Sequence, residues 1–457
     1  MTLGDKKKMP AKNIIVINVV GLEYKHLNSD LTPNISALAQ KGESAKMEPV
    51  FPSVTCTVQA SILSGRYPNE HGIIANGLYD RNSHSVSFWE QPSALVQRER
   101  IWDTLKNKSS SLHSSVKIAV LFWQNTMFAN SDVIITPRPL HMGDGSMIQW
   151  CYSKPVGYYE ESVKSLGEFN LATYWGPMAS HRSSEWIGNA AEYVLEKSRP
   201  NLMFVYIPHV DYSAQRFGPN SNQARDDLKK ADTIVGSIVE KASKLGIADE
   251  TEFLIISEYA FNDVSGAVPL NVKLREAGLL DVRTIAEKEY IDFELSRAFA
   301  MVDHQVAHIY VKDGFVDKTR KVLEDIQGVE KVLTKKEQKE LKIDNERSGE
   351  LIAISARDKW FSYYWWNESQ KAPPFAGTVD IHRKPGYDPM ELFYDREKNS
   401  IPFDTNFIKG SHGRPANLET GEGLACFVSN RKSGLTNSSV VKCVDIAVHI
   451  LNNLQSP

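Results

Sequence analysis

Cysteine is scarce in this chain of 457 residues, with four in all at Cys56, Cys151, Cys426 and Cys443. They lie far apart and match neither a zinc-binding spacing nor a disulfide framework, so the fold has to be held by its core. Long apolar runs are missing too: no stretch reaches the roughly 18 residues a membrane-spanning helix needs. There is no excess of positive charge, since 53 Lys and Arg stand against 56 Asp and Glu for a formal net charge of -3. Without a basic field a nucleic-acid polymer is not an expected partner, and an anionic substrate has to be held by a local site. Internal repeats and low-complexity segments are absent. The opening MTLGDKKKMPAKN has lysines with no apolar segment behind them, which reads as neither a signal peptide nor an anchor. Together these absences lead to the expectation of a soluble protein of a reducing compartment, the cytoplasm.

What is present is a globular composition, 42% hydrophobic and 24% charged, enough for one large domain carrying an insertion. Asn13 to Val20, NIIVINVV, is a nearly unbroken apolar run, as expected of a central parallel strand covered on both faces. Further strands are expected at 116–123, 202–207, 252–256 and 424–429. Helices are expected at 32–42, 100–106, 185–197 and 223–245, with a closing helix over 440–454. This alternation predicts an α/β sandwich with a mostly parallel central sheet. Ligands bind beyond the carboxyl ends of such strands. Asn18, Asp211 and Glu258 stand at three of these exits and converge if the strands are neighbours.

Phe51 to Arg81, FPSVTCTVQASILSGRYPNEHGIIANGLYDR, is the richest stretch. It reads as a loop with two hydroxyl residues, a short helix over 56–64 closed by Gly65, and a Gly- and Asn-containing return past His71. A hydroxyl at a helix N-terminus faces unpaired N–H groups and the positive end of the helix dipole, so a phosphate would find Thr55 there. The plainer reading is that Ser53 or Thr55 caps the helix.

Thr136 to Gly145 is a Pro- and Gly-rich loop in which Arg138 can pair with a carboxylate or phosphate, or simply be a surface arginine. His141 and Asp144 share that ambiguity. From about residue 298 to 366 a small α+β pattern appears, with strands at 306–311, 329–333 and 350–355 and helices at 315–326 and 335–341. Its aromatic end, Trp360 to Trp366, fits either core packing or stacking on a ring.

The run Phe51-Pro52-Ser53-Val54-Thr55 followed by Gly65-Arg66-Tyr67-Pro68-Asn69-Glu70-His71-Gly72-Ile73 resembles the nucleophile loop of the alkaline phosphatase superfamily. The branch it resembles is that of type I phosphodiesterases and nucleotide pyrophosphatases, with their phosphonoacetate hydrolase relatives. The resemblance implies an alkaline-phosphatase-like three-layer sandwich, with a core at 13–297 and 371–457 and a small α+β cap inserted at 298–370. It implies a metal-dependent hydrolase of phosphate esters in which Thr55 attacks phosphorus, assisted by one or two divalent metals, zinc by analogy. The substrate class implied is a small phosphorylated or phosphonate compound.

Carried across one at a time, Asp211 matches a metal-ligand aspartate because Gly218-Pro219 fixes the register. His412, in Gly-Ser-His-Gly, matches a late histidine ligand. Glu258 and Tyr259 stand where the family has Asp and His, Gln215 stands where it has His, and Asn18 is the nearest polar residue to its first-strand aspartate. Two imidazoles and one carboxylate are therefore missing. His304, Asp380 and His382 are candidate replacement ligands, the last two being two apart and hence on one face of an extended segment. Asp303, Arg138, Gln215 and Tyr259 are candidate substrate contacts, and His308 reads as structural. The alternative is a catalytically degenerate member that acts as a binding or scaffold protein. A sulfatase reading fails because Cys56 is followed by Thr57-Val58-Gln59-Ala60, with neither the Pro nor the Arg that formylglycine formation requires.

Overall fold

Asn13–Val19 is buried from its second residue onward, with both faces apolar, and so can only sit inside a sheet covered on both sides. It is the fifth of nine strands. The computed structural model, which describes residues 11–109, 116–143 and 146–455, gives the order Val440–Lys442, Glu43–Glu48, Ala425–Ser429, Thr251–Ile256, Asn13–Val19, Leu202–Ile207, Ile118–Leu121, Val133–Pro137, Cys151–Lys154. The central five, Thr251–Ile256 through Val133–Pro137, run parallel. Ala425–Ser429 and Cys151–Lys154 pair with that block antiparallel.

Two helical layers complete the sandwich. Pro33–Lys41, His181–Ser198 and Asn222–Lys244 pack together in one, and Thr55–Ser64, Ile101–Ser109 and Asp445–Gln455 in the other. Asn222–Lys244 shows how the sequence builds such a layer. Leu228, Ala231, Val235, Ile238 and Ala242 recur every three to four residues and are buried along one stripe. The chain is thus an α/β sandwich of the expected kind.

A separate four-stranded antiparallel sheet, ordered Ala298–Asp303, Val306–Val311, Leu351–Ser355, Val329–Leu333, carries the helices Val316–Glu324 and Lys335–Glu340. Phe361, Tyr363, Tyr364, Trp365 and Trp366 pack into its apolar core with Ala300, Met301 and Ala353. The aromatic run is therefore packing and offers no exposed stacking face.

Two local expectations change. Residues 440–454 divide into a strand, Val440–Lys442, and a helix, Asp445–Gln455, because the edge strand pairs with Glu43–Glu48. The loop after Val133–Pro137 contains a small hairpin, Leu140–His141 with Met147–Ile148. After Leu202–Ile207 the chain forms the helix Val210–Phe217, which carries Asp211. Asp144 and the lysine-bearing opening residues up to Pro10 lie outside the described residues.

Candidate active site

Thr55 opens the ten-residue helix Thr55–Ser64 as its first turn residue. The capping position belongs to Val54, which has no side-chain acceptor, and Gly65 closes the other end in the left-handed conformation that suits glycine. The Ser53 hydroxyl donates to the Arg414 carbonyl at 2.7 Å. Neither hydroxyl caps the helix, so the plainer reading of this loop does not hold. The Cys56 amide is instead served by the side-chain oxygen of Asn76 at 2.9 Å.

The Thr55 hydroxyl lies 3.2 Å from the Tyr259 hydroxyl and faces the Glu258 carboxyl. Tyr259 in turn donates to Asp211 Oδ1 at 3.3 Å. Asp211 and Gln215 are four apart on the helix Val210–Phe217 and so share a face. Gln215 Nε2 donates to Asp211 Oδ2 at 2.5 Å and its carbonyl oxygen accepts from the Tyr387 hydroxyl at 2.9 Å. Glu258 Oε1 accepts from Asn18 Nδ2 at 2.6 Å and from Gln59 Nε2 at 2.5 Å. The parallel neighbours Asn13–Val19, Leu202–Ile207 and Thr251–Ile256 bring these exits together, as the fold class requires.

His412 stacks on Tyr259 with ring centroids 3.5 Å apart. Its Nδ1 donates to the Ser53 carbonyl at 2.8 Å, which leaves an unprotonated Nε2 at 3.7 Å from Asp211 Oδ1. Glycine makes that placement feasible. A Cβ on Gly410 would sit 2.3 Å from the Ala214 carbonyl oxygen, so only glycine lets this segment lie against the helix of Asp211. On the cap side, Asp303 ends its strand and His304 with Gln305 forms the two-residue turn of the hairpin Ala298–Asp303/Val306–Val311, where His304 takes a φ of +60°. His304 Nδ1 bonds Asp303 at 2.8 Å, and its ring lies 3.8 Å from those of both Tyr387 and His412.

Burial dominates the electrostatics. Desolvation pushes Asp211 up to about 7 and Glu258 up to about 8, against the amide and hydroxyl donors that favour the ionised forms. It pushes Asp303 up to about 6. The same cause holds His304 down at about 3 and His412 well below the usual imidazole range. Burial shifts each of these groups toward its neutral form, with Asp303 and part of Asp211 still ionised at neutral pH.

Tested against a two-zinc centre, the donor set does not fit. Among the described residues no three His, Cys, Asp or Glu side chains converge as a metal-holding group. Gln215 and Tyr259, at two positions where the resemblance expects imidazole, point hydrogens at Asp211, and Asn18 points its amide hydrogens at Glu258. An amide that donates to a carboxylate occupies the lone pair a cation would need. Asn18 Oδ1, Glu258 Oε2 and His412 Nε2 are buried without a hydrogen-bond partner.

Of the three replacement ligands, His304 is brought beside His412, while Asp380 and His382 are engaged elsewhere. Asp380 and His382 lie in a turn, not on an extended face, because the Asp380 carboxylate bonds Arg383 within that turn. His382 Nδ1 meets the Phe88 carbonyl at 3.0 Å. Arg138 is exposed and follows a strand three places from Asn13–Val19 in the sheet. His308 is structural, its Nε2 donating to the Ile74 carbonyl at 3.1 Å. Gln59, Asn76 and Tyr387 were not singled out in sequence. Of these only Gln59 had a signal, four residues after Thr55 and so on the same helix face.

The profile of the type I phosphodiesterase/nucleotide pyrophosphatase family matches residues 14–388. The chain belongs to this family. Relatives include an uncharacterized pyrophosphatase/phosphodiesterase of Schizosaccharomyces pombe, 25% identical over 259 residues that cover 55% of this chain and 45% of the relative. Ectonucleotide pyrophosphatase/phosphodiesterase family member 1 of Rattus norvegicus is 28% identical over 250 residues, 53% of this chain and 23% of the relative. The chain thus spans less than half the length of these two relatives.

Among solved structures, murine ectonucleotide pyrophosphatase/phosphodiesterase 5, described as inactive through a threonine-to-alanine change and in complex with AMP, superposes with a TM-score of 0.61 at 14% identity, covering 97% of this chain and 95% of that one. Phosphonoacetate hydrolase from Sinorhizobium meliloti, in complex with phosphonoacetate, gives 0.61 at 16%, covering 98% and 96%. These likenesses are of fold, and the fold is that of the alkaline phosphatase superfamily.

The family corrects one expectation. Relatives are named ectonucleotide enzymes and venom phosphodiesterases, names that place those proteins outside the cell, so the cytoplasmic assignment does not stand. A core of this size folds without disulfides. Four buried free thiols therefore say nothing about the redox compartment. Among the described residues no helix is long and apolar enough to cross a membrane.

Proposed function

We propose that this chain is a hydrolase of small phosphate esters or phosphonates with Thr55 as its nucleophile. The observation that carries this reading is the Thr55 hydroxyl itself. It stands in the first turn of a ten-residue helix, takes no part in capping, and meets Tyr259 and Glu258. A threonine hydroxyl so placed can attack phosphorus while the helix N-terminus stabilises the developing charge. The AMP and phosphonoacetate held by the two structural neighbours are the ligand types that motivate the substrate class. Zinc, which the family resemblance implies, does not fit the donors present, and no step is assigned to it.

One observation favours a second reading, a catalytically silent relative that only binds. Thr55 is 4% exposed and Tyr259 2%, so a substrate reaches Thr55 only by displacing the side chains that cover it. Hydrolysis of bis(4-nitrophenyl) phosphate, 4-nitrophenyl nucleotide esters and phosphonoacetate by the purified protein, beside Thr55→Ala, separates the two. Turnover abolished by the substitution supports the hydrolase. Turnover that survives Thr55→Ala, or none on any of these compounds despite ligand binding, supports the silent relative.

A further inference from the structure

The donors that exclude the metal pair also form a path for a proton. Tyr259 lies between the Thr55 hydroxyl, at 3.2 Å, and Asp211 Oδ1, at 3.3 Å, and donates to the carboxylate. Its ring is fixed by stacking on His412 at 3.5 Å and by the edge of Phe261 at 5.6 Å. Asp211 is fixed from the other side by Gln215, and Gln215 by Tyr387. Every member of the row is buried, from 1% exposure at Gln215 to 8% at Asp211, which strengthens each hydrogen bond and keeps out competing water.

From this geometry we infer that Tyr259 and Asp211 activate Thr55 as a proton relay, in place of a cation. The inference rests on the reading of Thr55 as nucleophile. As the Thr55 Oγ–phosphorus bond forms and the bond to the leaving group breaks, the Thr55 proton passes to the Tyr259 oxygen. The Tyr259 proton passes at the same time to Asp211, which ends as a neutral carboxylic acid. The leaving group departs with the electron pair of its bond to phosphorus. A phenol suits this position because it donates and accepts through one oxygen, whereas a histidine there would need both ring nitrogens aligned. Gln215 is a positioning residue, holding the Asp211 oxygen that does not take the proton.

The test uses a fluorophosphonate, which phosphonylates an activated hydroxyl with loss of fluoride and requires no knowledge of the natural substrate. Full-length protein is labelled in chelator-containing buffer, the adduct is located by mass spectrometry and metal content is read by plasma mass spectrometry. Tyr259→Phe keeps the ring stack and removes the relay oxygen. The expected result is an adduct on Thr55 without bound metal, formed more slowly in D2O, and labelling at least about 100-fold slower in Tyr259→Phe, as for loss of a general base, with an unchanged melting temperature. Labelling of Thr55 at equal rates in the wild type and Tyr259→Phe overturns the relay and leaves the nucleophile standing. Labelling that appears only after zinc or manganese is added overturns it also. No adduct on Thr55 under any condition overturns both readings.

Discussion

Asp303 and Asn76, which lie 227 positions apart in the chain, are joined twice: the Asp303 carboxylate accepts from the Asn76 backbone amide at 2.7 Å and from its side-chain amide at 3.1 Å. Asn76 passes the link on, because its side-chain oxygen accepts the Cys56 amide next to Thr55. The sheet inserted late in the chain is thereby fastened to the nucleophile loop, and the same Asp303 orients His304 against His412 and Tyr387.

Asp303→Ala leaves the Asn76 donors and His304 without an acceptor in a buried site, at a cost of about 1–3 kcal/mol for each stranded donor. We expect a clear loss of stability in urea denaturation and a smaller one for Asp303→Asn, which keeps an oxygen in place. Equal stability of Asp303→Ala and wild type would show that the link carries no load.

Glu258 is an acid whose value in the folded state is raised, by burial, to about 8. The sign follows from proton binding. Between its unfolded value, about 4.3, and 8 the native state holds more protons than the unfolded chain, so stability falls as pH rises through this window. Below the window the penalty is absent, and above it the penalty is complete. Asp211, raised to about 7, acts in the same direction. The buried histidines His304 and His412, held in the neutral form, act in the opposite sense below their unfolded value of about 6.5. Melting temperature should therefore decline above that value, from pH 7 to pH 9, and Glu258→Gln, which cannot ionise, should flatten that slope. A melting temperature that rises between pH 7 and pH 9 would contradict the raised values of both groups.

Lys384 is 1% exposed between Asp388, at 2.8 Å, and Glu391, at 2.7 Å. Glu391 also accepts from the Trp175 indole at 2.5 Å and the Asp380 amide at 2.9 Å. Removing the lysine leaves two buried acids unpaired, a change worth about 3–5 kcal/mol when one partner of a buried pair is lost. Lys384→Met, which keeps the volume, should lower the denaturation midpoint much as Lys384→Ala does. Substantially better stability for the methionine variant would assign the effect to packing. Tyr387, which orders Gln215, lies three residues further along, so the same variants should also loosen the relay.

Much of the architecture was legible because it is written in local periodicity. Leu202–Ile207, Val306–Val311 and Val329–Leu333 fall where their apolar patterns place them. The Thr55 loop stands out because a hydroxyl, a short helix and a closing glycine occur in one continuous stretch. The hidden parts were those without a local signature. Asp380 and His382 have ligand-like spacing, yet the spacing means joint coordination only in an extended strand, and the chain turns there. Tyr387 and Asn76 carry no mark of their own in the sequence.

The sequence by itself determined the central strands, the helical layers, the position of Thr55 and the loss of ligand types at Asn18, Gln215, Glu258 and Tyr259. An apolar repeat buries the same face wherever it is folded, and a missing imidazole stays missing. Only the tertiary structure decided what those replacements do. Tyr259 lies between Thr55 and Asp211, and Asn18 and Gln59 share Glu258 Oε1, because packing brings together residues that are tens to more than two hundred positions apart. A hydrogen bond depends on distance and direction between two atoms, and no pattern along the chain encodes either one.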